Sequence, residues 1–409
     1  MLLFLLLVLV FSIPSVQTRL GSYATSSINE TYGTAIKIEK VGLQFNGDVE
    51  LKNILIKDHY DAPLISIAEL NSSILSFVKL ADSKLTFADI DLYNLFFHIK
   101  NYKGEVDTNL DIFVARFDEN NPIKKINKSI PQTDSQKNSS DFLPSDKFLL
   151  SSSEVRIHNS KFLLTDENLE NPTVLDLHTL NLSASDFLIL GADVKTSITS
   201  LSFEDSRGAQ MQNLQTDFSY SLTQMTFEQL EIETARSSLS GQLQFDYDRT
   251  DFKDFLEKVK VSGFFKNSTV NLEELNVFYD EFGSNQKADL NTVFSGTLNV
   301  LLLEEIDLIT IDNTSIVGKI QFKNLFKDRT EKFEMDGDFQ QIASTYSDLK
   351  ALLPRVLGNS LPSNFATLGR FDMRGTAKVS NKTIETLMDI ETDIGTLFVD
   401  LNLDHIEAI

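Results

Sequence analysis

The chain's 409 residues exceed the roughly 250 to 300 at which one compact core stops growing, so it forms either two domains or one elongated structure. Phe is abundant at 31 while Cys and Trp are absent, which excludes a disulfide framework and any thiolate site. A net charge of −22 excludes broad binding of nucleic acid or anionic headgroups, because both need clustered Lys and Arg.

Leu2, Leu3, Phe4, Leu5, Leu6, Leu7, Val8, Leu9, Val10 and Phe11 form an unbroken apolar run, extended by Ile13. As a helix the run covers only about 20 Å of a ~30 Å bilayer core, the length of a signal-peptide core. Yet no Lys or Arg precedes it, and Ser12 to Gln17 offer no good small-x-small cleavage site. A transmembrane anchor over 1–17 and a cleaved signal both stay open. Next, Leu20, Tyr23, Ala24 and Ile28 fall at helical spacing before Gly33, which predicts a short amphipathic helix over 18–34.

From Ile36 to Lys57 the apolar residues alternate. Ile36, Ile38, Val41, Leu43 and Phe45 run into Asn46-Gly47, and Val49 and Leu51 run out, which predicts a β-hairpin with one apolar face. On the second arm the alternation slips by one residue at Val49, Leu51, Ile54 and Ile56. The same spacing returns at Leu85, Phe87, Ile90, Leu92, at Leu175, Leu177, Leu180, Leu182, and at Val270, Leu272, Leu275, Val277. Around a helix, at about 100° per residue, these positions make no single stripe. In a strand with one inserted residue, a β-bulge, all four stay on one face while the strand bends. The spacing predicts sheet that curls around an apolar interior.

Strand patterns fill 35–117, with Leu95, Phe97 and Ile99 continuing the second bulged unit toward a turn at Asn101 to Gly104. Residues 118–147 are polar and carry Pro122, Pro131 and Pro144, which predicts a flexible loop. Strands resume over 148–409, with turns at Gly191, Gly208 and Gly241. Two helices interrupt them. Phe252, Phe255, Leu256 and Val259 share a face over 251–260 behind Thr250 and Asp251 as caps. Leu349, Leu352, Leu353, Val356 and Leu357 share another over 347–357, between Ser347 and Gly358, shortened or kinked at Pro354. Each is expected to cover apolar sheet surface. The chain stops at Ile409 without a closing element, which reads as a fragment or an unfinished array.

Chemistry is not signalled. His59, His98, His158, His178 and His405 stand far apart with no paired-His metal motif, and no nucleophile elbow, P-loop or dinucleotide fingerprint is present. Asp58-His59-Tyr60-Asp61 and Asp280-Glu281-Phe282-Gly283 could hold a cation, but both sit where turns recruit Asp for backbone bonding. The reading is of a protein that is not an enzyme and carries no cofactor or metal.

Several segments together resemble a known family. Ile13 to Thr18, Gly33-Thr34 through Lys57, Asp58 to Ile65, Tyr102 to Leu110 and Glu233 to Gly241 look like the N-terminal part of the TamB family. That family, the inner-membrane component of the translocation and assembly module, belongs to the AsmA-like superfamily. The likeness runs over most of the chain and rests on order and spacing more than on any single motif. It implies a Gram-negative envelope protein, held in the inner membrane by one N-terminal helix and crossing the periplasm as an elongated, curled antiparallel β-sheet. It further implies transport of phospholipid along an apolar groove, and assembly of outer-membrane proteins and autotransporters with a TamA-like outer-membrane barrel protein. The basic leader and the family's C-terminal domain are not in this sequence, so partner contact falls on no residue here.

The fold expected is therefore mainly β, an N-terminal membrane helix followed by a curled β-groove with a few short helices. Leu43, Phe45, Val49, Leu51, Ile54, Ile56, Leu85, Phe87, Ile90 and Leu92 are the expected early groove lining. The residues alone favour a closed β-sandwich, whose strands show the same alternation. The resemblance turns that preference toward an open trough holding acyl chains. Two other functions stand beside it: a secreted adhesion module using the 118–147 loop, and a scaffold that pairs client strands with its edges.

Overall fold

The computed structural model of the chain describes residues 14–44, 47–74, 84–116, 149–277, 282–325, 333–354, 363–380 and 383–404. These residues are mainly β, with nineteen strands and a few short helices, and divide into two compact units, Met1–Ser206 and Arg207–Ile409.

The first unit runs α1 (Pro14–Tyr32), β1 (Ala35–Leu43), β2 (Asp48–Lys57), β3 (Pro63–Ile74), β4 (Lys84–Tyr93), β5 (Phe96–Asn101), α2 (Asn109–Ala115), β6 (Leu149–Asp166), β7 (Thr173–Leu190) and β8 (Asp193–Asp205). The hairpin expected at Ile36 to Lys57 is β1 and β2, turned by Gly47 at φ 94°. Ile36, Ile38, Val41 and Leu43 oppose Ile56, Ile54, Leu51 and Val49 in one unbroken register. The slipped spacing is present on both arms, so the bend keeps the register and interrupts the pairing only at Asn53. It passes on to β3, where Ile65, Ile67 and Leu70 oppose Ile56, Ile54 and Leu51.

The bends are made by residues in the left-handed region. Asn53, Asn94, Asn159 and Thr179 have φ of 52°, 52°, 44° and 50° in the middle of the strand runs, three of them Asn, the non-glycine residue that tolerates this conformation best. Asn94 separates β4 from β5, which are two halves of one bent strand pairing β3. A bulge also frees backbone groups that must be satisfied when buried. Hydroxyls from the adjacent strand do this: Ser72 Oγ donates to Asp89 O (2.7 Å) in this unit.

Three expectations for this unit are corrected. The sheet is not wholly antiparallel, since β6 runs parallel to both β4 and β5; the long connection from Asn101 to Leu149 lets the chain return to its starting margin. The strand pattern does not reach Phe117. Asn109–Ala115 is helical because Thr108 and Asp111 form a capping box, Asp111 N donating to Thr108 Oγ1 (3.2 Å) and Thr108 N to Asp111 Oδ2 (3.1 Å). The N-terminal helix, expected over 18–34, spans Pro14–Tyr32, stops at Gly33 (φ 66°), and packs on β1. Tyr23 is 77% exposed and Ile28 38%, whereas Gln17 and Thr25 are buried; the side chains of Leu20 and Ala24 lie outside the described residues.

That buried face closes the edge of β1. Gln17 Nε2 donates to Leu43 O (2.7 Å) and Leu43 N donates back to Gln17 Oε1 (3.0 Å). Asn29 does the same at Ile36, at 2.8 and 2.9 Å. Each side-chain amide supplies the two bonds a neighbouring strand would make, which removes the edge from further pairing. A Cβ at Gly21 would lie 2.4 Å from Val41 Cγ2, so only glycine permits the approach. Asn109 clamps β5 alike, through His98 O (3.1 Å) and Lys100 N (2.8 Å).

The second unit is an antiparallel meander: β9 (Gln210–Tyr220), β10 (Gln224–Thr234), β11 (Ser238–Asp246), α3 (Phe255–Lys258), β12 (Lys260–Asn271), β13 (Lys287–Thr297), β14 (Val300–Thr310), β15 (Ser315–Lys323), β16 (Glu334–Thr345), α4 (Tyr346–Leu352), β17 (Arg370–Ser380), β18 (Thr383–Thr392) and β19 (Gly395–Asp404). Each strand pairs the next, with register shifts at Phe227/Leu230, Phe265/Ser268, Val293/Phe294, Leu303/Ile306 and Phe339/Ile342. Thr216 Oγ1 and Thr292 Oγ1 donate to the freed carbonyls of Glu228 (2.7 Å) and Glu305 (2.9 Å).

Here, too, local chemistry overrides expectation. Leu272–Val277 is a 3₁₀ turn and not the end of a bulged strand, because Asn271 Oδ1 accepts from Glu273 N (3.0 Å) and starts the turn, while Leu272 is buried. Gly191 and Gly208 lie in turns, but Gly241 is inside β11, where its missing Cβ admits Phe264 O to 1.9 Å of the Cβ position. The first predicted helix begins as a 3₁₀ turn at Arg249, with Asp248 and Asp251 as its capping box. The second is capped by Thr345 and ends at Leu352, two residues ahead of Pro354. Val356, Leu357, Asp280, Glu281, His405 and the loop 118–147 lie outside the described residues.

Candidate functional site

Side-chain alternation gives each unit one apolar face, and the expected lining residues fall on it. Leu43 stands opposite Val49, and the cross-strand rows Val41–Leu51–Leu70–Leu92 and Ile38–Ile54–Ile67 run over the first unit. Ile56 opposes Ile65, Ile90 opposes Ser72, and Phe87 opposes Ile74. Thus the structure unites Leu43, Val49, Leu51, Ile54, Ile56, Phe87, Ile90 and Leu92. Ile54 is 7% exposed and Leu43 43%, with the others half-buried. Phe45, the side chain of Leu85 and the run Leu2 to Phe11 lie outside the described residues, among which no helix is long and apolar enough to cross a membrane. The face continues past the residues singled out, over Phe97 and Phe162, whose rings meet edge to face at 5.6 Å, and onto Leu177.

The second unit's face is richer in aromatic rings. Phe218, Phe227, Phe245 and Phe255 form a chain of ring contacts at 5.1, 6.4 and 6.1 Å. Glycines on neighbouring strands make room for other rings: a Cβ at Gly241 would lie 3.0 Å from Phe265 Cδ1, and one at Gly263 2.9 Å from Phe294 Cζ. Phe339 opposes Gly318 on one side and Gly375 on the other, with its own ring over Gly337. Mid-strand glycine beneath a neighbour's ring lets the sheet bend tightly without a void. Sequence alternation found the apolar positions but missed these ring-and-glycine pairs, whose signal is a Gly directly across from a Phe once the register is known.

Two short helices sit at opposite margins of this face. Phe255 of α3 packs on Phe245, and Leu352 of α4 joins Val270 and Leu272 in a buried cluster. Leu349 of α4 packs against the larger cluster of Ile320, Phe339, Phe371, Met388 and Ile390. Between the margins the apolar side chains are mostly half-buried. Within each unit, among the described residues, the strands' closest backbone neighbours are their ladder partners and the short helices.

The opposite face is polar and ion-paired. Arg156 bonds Asp91 at 2.7 and 3.0 Å and Asp89 at 3.1 Å, and His158 lies 3.3 Å from Asp91 and stacks on Tyr93. The guanidinium of Arg156 holds the Asp91 carboxyl below its ordinary range. A shallow depression of about 280 Å³ on β11 to β14 is lined by Gln242, Gln244, Ser262, Phe264, Ser295 and Glu304.

Asp58-His59-Tyr60-Asp61 is a turn, as its composition indicated, and more. Buried Asp58 accepts from Tyr60 N (2.9 Å), Ala62 N (3.0 Å), Tyr102 Oη (2.8 Å) and Asn109 Nδ2 (3.3 Å), tying three segments together. Burial alone would raise its pKa, but these donors hold it below the usual value. His59 Nε2 and Tyr60 Oη both reach Glu105, at 3.0 and 2.9 Å. With every Asp58 oxygen engaged, the group is a structural tie. Among the described residues no three His, Asp or Glu are grouped to hold a metal ion. No protein-family model matches the chain, and no curated protein matches it.

Proposed function

We propose that the apolar face binds the acyl chains of lipid, and that the chain works as a TamB-like, inner-membrane-anchored periplasmic groove for phospholipid. Assembly of outer-membrane proteins along the same surface belongs to this reading. The observation that carries it is the continuous cross-strand rows of Ile, Leu, Val and Phe, whose side chains are mostly only half-buried in the first unit. A closed sandwich would bury such rows against a second sheet. Each buried methylene is worth ~0.8 kcal/mol, so a tail of about a dozen carbons leaves water for this surface readily. Headgroups would stay in water at the margins. No titratable residue takes part in this passive mechanism.

Neighbouring residues on opposite faces give the test. A photo-crosslinking side chain is placed at Leu243 or at Gln242, and at Phe87 or at Thr86, in protein purified with its native lipid. Adducts with lipid are expected at Leu243 and Phe87 and not at Gln242 and Thr86. Equal labelling of both faces, or none on either, overturns the proposal; polypeptide adducts at Leu243 and Phe87 would replace lipid by a protein client.

A further inference from the structure

We infer that the lipid accepted by the apolar face carries no net negative charge, a zwitterionic or neutral diacyl lipid in preference to an anionic one. This rests on the acyl-chain reading above and adds the class of headgroup to it.

A surface that holds anionic headgroups needs several Lys or Arg side chains close together and free to meet phosphate. Among the described residues, many of the basic side chains are instead committed to carboxylates. Lys52 lies 2.7 Å from Glu50 and 3.3 Å from Glu69, Lys100 2.6 Å from Glu167, and Lys161 2.9 Å from Asp176. Arg156 is shared by Asp91, Asp89 and Glu154. In the second unit Arg236 pairs with Glu273 at 2.6 Å and Lys323 with Glu334 at 2.9 Å. Both lie where strands end, at the margins where a headgroup would rest. Carboxylates remain in excess, with 59 Asp and Glu against 37 Lys and Arg. A headgroup carrying its own ammonium balances its phosphate and can place that ammonium toward the carboxylates. An anionic headgroup would add like charge to a field that salt screens over about 8 Å at physiological ionic strength.

The preference is measured by exchanging the full purified chain with equimolar phosphatidylethanolamine and phosphatidylglycerol of identical acyl chains, in non-ionic detergent micelles. The protein is re-isolated and its lipid quantified by mass spectrometry at 50 and 500 mM NaCl. The expected result is a roughly five-fold enrichment of the zwitterionic lipid at low salt, falling toward parity as screening shortens to a few ångströms. Parity or anionic enrichment at 50 mM, with lipid bound, overturns the headgroup inference and leaves the acyl-chain reading standing. Retention of neither lipid removes both.

Discussion

The two units bend sheet with shared devices but fill the bend differently. In both, residues take the left-handed conformation mid-strand, Asn53 and Asn159 in the first and Gln229 and Asn267 in the second, and the ladders shift register at bulges. The second unit adds glycines under Phe265, Phe294 and Phe339, which absorb the close approach of the rings. Both leave a continuous apolar face, so the face is the feature held in common and the bend is the means. The difference predicts where each unit is vulnerable: the first in its polar ties, the second in its rings.

The largest effect should come from Phe339→Ala. The ring is 6% exposed and central to the buried cluster, so truncation should cost about 3–5 kcal/mol. Phe97→Ala, at a half-buried ring of the first unit, should cost about 1–2 kcal/mol, because less apolar area leaves water there. Denaturant unfolding measures both. Hydrogen exchange should localise the first loss to β15 through β18, and equal costs would erase the contrast between units.

A smaller effect tests what the units share. Asn159-Ser160 and Asn267-Ser268 are the same device. Each Asn has positive φ and donates its N–H to an Asn side chain on the next strand, Asn181 at 3.0 Å and Asn291 at 2.8 Å. Each Ser is buried and accepts a neighbouring strand's N–H, from Leu95 at 2.9 Å and Ser240 at 3.0 Å. Ser160→Ala and Ser268→Ala each strand a buried N–H and should cost about 1–3 kcal/mol apiece. A large loss at one and none at the other would show the likeness to be superficial.

How much of this was legible in the sequence follows from the range of the interactions. Hairpin arms and bulges are set by nearest neighbours, so the spacing of Val49, Leu51, Ile54 and Ile56 disclosed both the strand and its bend. The identical spacing at Val270, Leu272, Leu275 and Val277 misled, because one Asx turn at Asn271 redirects the chain and spacing does not register a single side-chain bond. The parallel placement of β6 and the amide clamps of Gln17 and Asn29 join residues far apart in sequence, where alternation carries no signal. On the apolar face the positions could be read singly, but the pairing of Phe339 with Gly318 and Gly375 needed the register.

The smallest effect concerns pH and separates the units again, since the Asp58 tie belongs to the first alone. Its donors hold the Asp58 carboxyl below its usual value against the opposing push of burial. A folded-state pKa beneath the unfolded one, about 3.9, means that the contribution is fully present above that value and is lost as pH falls through the folded one. From pH 7 to about 5 the first unit should therefore hold its stability with respect to this group, and below about 4 it should weaken as Asp58 gains its proton. Asp58→Asn removes the titration, keeps the shape, and leaves an amide facing the Tyr60 and Ala62 N–H groups. The variant should be less stable at neutral pH and show a flatter acid limb, read as hydrogen exchange in β2, β3 and β5 between pH 3 and 6, a window set by the carboxylate's ordinary range. An unchanged acid limb in the variant would transfer the sensitivity to other carboxylates, Asp91 beside Arg156 first, because its pKa is depressed by the same kind of bonding.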